Sequence, residues 1–244
     1  MSALTGARTP FYAVTGNLLE ILLRTDLHGK CVVGVGIAEM IVIIDYGLGN
    51  LGSVANMLKK IGVQAVVSSD PVVIASADKL ILPGVGSFDT GMKNLKERGL
   101  LSLLNDRVLN DKISILGVCL GMQLLGKRSE EGLLPGLNWL DAETIRFKFE
   151  DDKANLKIPH MGWNTLNVCQ RHPLLAGLEL DNRFYFVHSY HVACKNPPNI
   201  LAQTTYGFEF TSAVLKENIM GVQFHPEKSH KFGMRLLKNF VERL

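Results

Sequence analysis

The sequence predicts an α/β domain with a mostly parallel central sheet, helices on both faces and antiparallel additions. Three observations lead there. From Met40 onward, short apolar runs alternate with segments of helical spacing. The runs end in glycine-rich turns, YGLGN, PGVG and GVCLG. Past Gly132 the pattern changes to period-2 alternation rich in aromatics. Strand–helix alternation of the first kind gives a parallel sheet, and half-buried alternation of the second kind suits antiparallel strands.

Each element has its own reason. IVIID (41–45) is a continuous apolar run closed by an acid, as in a strand buried on both faces. VANMLKKIG carries helical spacing and stops at Gly62. VQAVVSS (63–69) is the next strand, and KLILPGVGSFDTG gives a third strand, a Pro-Gly turn and a helix start with Ser87 as N-cap. Residues 93–110 read as helix, and ISILGV (113–118) as a fourth strand running into Cys119. FYFVHSYHVAC (184–194) and IMGVQFHPE (219–227) read as the antiparallel additions, and a helix over roughly 229–243 closes the chain.

Bulk composition narrows the class. The chain has 244 residues, 47% hydrophobic and 20% charged, which suits one globular α/β domain. Its net charge of +3 is spread among acids without a basic block, so nucleic-acid binding has no support. The four cysteines, Cys31, Cys119, Cys169 and Cys194, form no C-x-x-C pair, which argues against zinc and a disulfide scaffold and for a reducing, cytosolic setting. No run approaches the roughly 18 apolar residues of a membrane span. Residues 1–39 lack a secretory pattern and read as a dispensable extension, with the working domain over 40–244.

The chemistry centres on Gly117-Val118-Cys119-Leu120-Gly121. A cysteine on a tight strand-to-helix turn is exposed at the sheet's C-terminal edge, and glycines two residues to either side spare the neighbouring strands. The helix N-terminus favours a thiolate there and offers backbone N–H groups to an oxyanion. A buried structural cysteine is the competing reading. In QFHPEKS, His225 and Glu227 are two residues apart, so an extended backbone turns both the same way, and Pro226 stiffens the spacing. A carboxylate beside an imidazole fixes its tautomer and makes it a base for a cysteine.

The chain from Met40 to Leu244 resembles a class I glutamine amidotransferase domain, and most closely the glutaminase subunits of imidazole glycerol phosphate synthase in histidine biosynthesis. IIDYGLGNL, LPGVGSF, GVCLGMQLL, PHMGWN, FVHSYH and GVQFHPEKS carry the resemblance. It implies the three-layer amidotransferase sandwich and a Cys119–His225–Glu227 triad. Cys119 attacks the glutamine side-chain amide, His225 protonates departing ammonia, and water hydrolyses the γ-glutamyl thioester. The resemblance places the oxyanion hole at the backbone amides of Val85 and Leu120. It places glutamine against Gly86, Gln123, Glu131, Ser189 and Tyr190. No cofactor is implied.

Other readings stand beside these. Gly86 can simply serve its turn, and Glu131 in SEEG can be a solvated charge. Gln123 lies one helical turn after Cys119 and so reaches the same mouth. His188 and His191 invite a metal, but an H-x-x-H strand sends the rings to opposite faces and no third ligand is evident, so no metal is assigned.

Free ammonia in neutral water is mostly protonated and no longer nucleophilic, so such a glutaminase passes it directly to a partner. The resemblance supplies a (β/α)₈-barrel cyclase subunit, in a heterodimer that makes imidazole glycerol phosphate and aminoimidazole carboxamide ribotide. It sets Asn50, Trp163, Asn164, Tyr185 and Lys228 at that interface, with a core aromatic as the alternative for Trp163. The glutaminase subunit of another amidotransferase and a stand-alone cysteine hydrolase are the alternative functions.

Overall fold

The computed structural model describes residues 19–25, 31–37, 39–149 and 156–244, the first two segments as backbone only. The chain divides into a unit over 1–39 and a unit over 40–244. In the first unit β1 (Leu19–Thr25) pairs antiparallel with β2 (Cys31–Ile37). The rest of 1–39, and with it most of the expected extension, lies outside the described residues.

The second unit begins β3 (Ile41–Ile44), α1 (Leu51–Lys60), β4 (Ala65–Ser68), α2 (Pro71–Ala75), β5 (Lys79–Gly84) and α3 (Phe88–Glu97). It continues with α4 (Leu100–Asn105), β6 (Ser114–Cys119), α5 (Leu120–Leu124), β7 (Arg128–Ser129), β8 (Ala142–Arg146) and β9 (His160–Asn164). Then come β10 (Asn167–Val168), β11 (Phe184–His188), β12 (Tyr190–Cys194), β13 (Ile200–Tyr206), β14 (Phe208–Lys216), β15 (Ile219–Val222) and α6 (His230–Arg243). The main sheet runs β4-β3-β5-β6-β15-β14-β12-β8-β7, with β13 beside β14 and β10 beside β13. From β4 through β15 neighbours pair parallel, and the pairs β15–β14, β14–β12 and β12–β8 are antiparallel.

The buried pattern explains the layers. In β3, Ile41 and Ile43 pack with Val54 and Leu58 of α1 and Leu236 and Phe240 of α6. Val42 and Ile44 point the other way, to Ile74 of α2, Leu95 of α3 and Leu104 of α4. Alternate side chains of one strand thus serve two cores, so the central strands read as unbroken apolar runs.

Three expectations are corrected. The helix expected over 93–110 is broken: Gly99, at φ 69°, ends α3 and caps α4, and residues 106–110 form one wider turn. FYFVHSYHVAC is two strands in two sheets, parting at Ser189, because among the described strands β11 pairs with β9 while β12 joins β8 and β14. IMGVQFHPE is no antiparallel addition at its start: β15 pairs parallel with β6 on one side and antiparallel with β14 on the other. Its alternation is that of a strand where the sheet changes direction. The fold class predicted from the sequence stands.

Candidate active site

Three adjacent strands end at the same edge. Gly84 at the end of β5 is level with Cys119 at the end of β6, and Val222 of β15 is level with Val118. The residues that follow, Val85, Leu120 and His225, therefore emerge side by side. Crevices at the C-terminal edge of parallel strands are where α/β folds collect ligands.

Cys119 occupies the turn with φ 54° and ψ −110°, a conformation a side-chain-bearing residue rarely adopts. The flanking glycines make it sterically possible. A Cβ on Gly121 would run into the carbonyl oxygen of Leu82 in β5, and one on Gly117 into the backbone of Gly121. The first clash is with a neighbouring strand, as expected, and the second is with the turn itself.

His225 is 1% exposed, and its Nδ1 lies 2.8 Å from Glu227 Oε1, so the imidazole N–H donates to the carboxylate. Its Nε2 is buried with no hydrogen-bond partner among the described residues. Burial pulls the imidazole pKa down, but the Cys119 sulfur and the Glu227 carboxylate outweigh it and raise it to about 9. The local backbone is braced by Ser229, whose hydroxyl donates to His225 O at 2.6 Å and accepts from Tyr185 N at 3.0 Å. His225 N in turn donates to Tyr185 O at 2.9 Å, an isolated bridge tying β11 to the HPE turn.

One cavity of about 340 Å³ borders Val85, Gly86, Cys119, Leu120, Gln123, Glu131, Ser189, Tyr190 and His225, with Pro159, Val187 and His188 completing its wall. Glu227 sits behind His225. Glu131 is no freely solvated charge: its Oε2 accepts from Phe88 N at 2.8 Å. It satisfies a donor in the first turn of α3, where the expected cap Ser87 instead meets the Thr90 hydroxyl at 2.7 Å. Gly86, at φ 118°, is in a backbone region that favours glycine, so it serves both the turn and the cavity.

The remaining predicted residues gather elsewhere. Trp163, 45% exposed, stacks on His230 with centroids 5.5 Å apart and meets Tyr185 edge-on at 6.1 Å. Lys228 Nζ lies 5.6 Å from the centre of the Tyr185 ring. Trp163 is thus no core aromatic. Asn164 turns its amide into the fold, donating to Thr205 O at 2.9 Å and to His160 Nε2 at 3.3 Å. Asn50 precedes α1 without a side-chain cap bond.

Sequence reasoning missed a buried polar floor. Gln223 is fully buried, its Nε2 3.7 Å from Cys119 Sγ. Its signal lay in the motif: two residues before His225 in an extended segment, it shares that residue's side. His188 was weighed only as a metal ligand. It contacts His160 at 3.0 Å and the Tyr190 carbonyl at 2.8 Å. His188 and His191 do not diverge: with the strand broken at Ser189, both pack on Phe147, at centroid distances of 5.3 and 4.7 Å. Among the described residues no three His, Cys, Asp or Glu side chains converge as metal ligands, and no helix is long and apolar enough to cross a membrane.

The model of the glutamine amidotransferase class-I family matches residues 42–244. The chain is 56% identical over 203 residues to imidazole glycerol phosphate synthase subunit HisH 2 of Methanococcus maripaludis, an overlap covering 83% of this chain and 99% of that one. The Pseudomonas aeruginosa HisH 2 subunit is 53% identical over the same shares, and the Bdellovibrio bacteriovorus HisH subunit is 48% identical over 83% of this chain and 100% of its own. Among solved structures, a glutamine amidotransferase crystal structure superposes with a TM-score of 0.62 at 22% identity, covering 83% of this chain and 97% of that one. The structure of PurLQS from Thermotoga maritima gives 0.63 at 17% identity, covering 84% and 98%. These two share the fold. Family match and relatives agree: the chain belongs to the class-I glutamine amidotransferases, among the HisH subunits of imidazole glycerol phosphate synthase.

Proposed function

We propose that this chain is the glutaminase subunit of an imidazole glycerol phosphate synthase, releasing ammonia from glutamine for a cyclase partner in histidine biosynthesis. The observation that carries the chemistry is the buried His225–Glu227 pair at 2.8 Å, beside Cys119 on its strained turn in a cavity of amino-acid size. In this reading Cys119 gives its proton to His225 Nε2, its sulfur attacks the carboxamide carbon of glutamine, and the carbonyl electrons move onto oxygen. The backbone N–H groups of Val85 and Leu120 hold that oxyanion. Collapse of the intermediate breaks the C–N bond as His225 Nε2 protonates the leaving nitrogen. Water then gives a proton to His225 Nε2 and adds to the thioester carbon, and the C–S bond breaks as Nε2 returns that proton to the sulfur, yielding glutamate and free thiol. Glu227 keeps Nδ1 protonated, so Nε2 does the work.

Gly86, Gln123, Glu131, Ser189 and Tyr190 hold the substrate in this proposal, supported by their place on the cavity wall. Trp163, Tyr185 and Lys228, with Asn50 and Asn164 nearby in the motif pattern, face the cyclase, for which a (β/α)₈ barrel is the expected form. Support comes from an exposed aromatic–cation cluster one hydrogen bond from the His225 backbone. We assign the working domain to residues 40–244, hold 1–39 dispensable for the reaction and place the protein in the reducing cytosol.

Glutamate release from glutamine, measured with and without a cyclase subunit and its ribotide ligand, tests the proposal. The mixture is expected to exceed the chain alone many-fold, and Cys119→Ala to release none. Equal rates with and without the partner would remove the synthase assignment, and activity retained in Cys119→Ala would remove the nucleophile.

A further inference from the structure

The floor beneath Cys119 is made of two glutamine side chains, and the direction of each amide follows from its neighbours. Gln123 Nε2 lies 3.1 Å from the Tyr190 carbonyl oxygen, which can only accept, so that end of Gln123 is the amine. The same nitrogen lies 3.1 Å from Gln223, so the facing atom of Gln223 is its carbonyl oxygen. The Gln223 amine is thereby left pointing at Cys119 Sγ, 3.7 Å away. Tyr190 O is held in turn by His188 Nδ1–H at 2.8 Å, and His188 Nε2 accepts from His160 at 3.0 Å. Each link has one permitted direction, and the Gln123, Gln223, His160 and His188 side chains that make them are buried.

We propose that Gln223 is a positioning residue for the nucleophile: its amide N–H, aimed by Gln123, donates to the Cys119 sulfur and favours the charged form. This rests on the reading of Cys119 as the attacking group. A neutral thiol is a weak acceptor and gains little from such a donor, whereas a thiolate gains more, so the contact acts on the ionised state. His225 approaches the sulfur from the segment after β15, backed by Glu227, and Tyr46 stands in the segment after β3. Burial, reinforced by the Cys119 charge, raises the Tyr46 phenol far above its ordinary range and keeps it protonated. Gln223 differs from both in carrying no titratable proton, so its donation is constant with pH.

The test is alkylation of the full-length chain by iodoacetamide, followed by mass spectrometry of the Cys119 peptide, with exposed Cys169 as the internal control. In Gln223→Leu, Cys119 alkylation is expected to slow about tenfold at pH 7, the equivalent of one pH unit of thiolate population. At pH 9.5, where ionisation needs less help, it should stay within about twofold of the parent. Gln223→Glu, which replaces the donor by a negative charge, should be slower still at pH 7. A parent-like rate at pH 7 in Gln223→Leu overturns the proposal. So does equal slowing at both pH values, the mark of a loosened structure. If Gln223→Leu does not fold, Gln123→Leu removes the group that aims the amide and leaves Gln223 in place. It should slow pH 7 alkylation by about threefold, and no change there also overturns the proposal. If Cys119→Ala retains glutamate release, the nucleophile assignment itself fails, an outcome distinct from the variant results.

Discussion

A single β-carbon at position 121 would run into the Leu82 carbonyl oxygen, and neither the strand nor the turn can yield. Gly121→Ala is therefore expected to cost about 3 kcal/mol or more in stability, as overpacking against fixed backbone does. Urea unfolding followed by circular dichroism measures it, and a parent-like midpoint would show that the elbow relaxes. The two glycines were legible in G-x-C-x-G, because a sharp turn beneath a nucleophile leaves no room for side chains. Gln223 was not read, though it stood inside a quoted motif: a polar residue between apolar neighbours carries no label saying what it faces. Contacts between residues as far apart as Gln123 and Gln223 belong to the folded chain alone.

The β9–β11 pair and the HPE turn are joined through Ser229, whose hydroxyl both accepts from Tyr185 N and donates to His225 O. Ser229→Ala leaves those two groups without that partner, which should cost about 1–3 kcal/mol. Loss of the brace should also let His225 drift, lowering kcat of the glutaminase reaction roughly tenfold with KM little changed. Urea unfolding and steady-state glutamate release read the two effects, and unchanged kcat would make Ser229 a purely structural brace. The elements carrying long apolar runs were easy to read from sequence: β3 and β15 lie inside the predicted strands, β6 runs one residue past its own, and β5 extends through the Pro83-Gly84 pair read as a turn. The boundary between β11 and β12 was not. FVHSYH keeps a β-forming composition across Ser189, and only the pairing of each half with a different partner strand breaks it.

Across the whole molecule the buried histidines pull stability in opposite directions with pH. Burial lowers His160 to about 4, His188 to about 3 and His191 to about 4, so the fold prefers their neutral forms. Their contribution is complete above the unfolded value near 6.5 and is lost as pH falls through those folded values. His225, raised to about 9, has the reverse sign: its contribution is complete below about 6.5 and is lost as pH rises through 9. Urea midpoints should therefore fall on both sides of a maximum near pH 6.5 to 7. Among the described residues neither buried ring nitrogen of His191 has a side-chain hydrogen-bond partner, so His191→Leu should add about 1–2 kcal/mol at pH 5 and flatten the acid limb. His225→Asn should flatten the alkaline limb instead. An unchanged acid limb in His191→Leu would return that slope to the carboxylates.

The row from Asn164 through His160 and His188 to Tyr190 O has a further consequence. Each imidazole uses one nitrogen to give and the other to take, and neither titrates near neutrality. The row ends on a carbonyl whose two accepted bonds come from His188 and Gln123. Such a row resembles a proton wire but cannot conduct, because it ends on a group that holds no hydrogen to pass on. No proton reaches the cavity along it, which leaves proton exchange with the reacting atoms to His225.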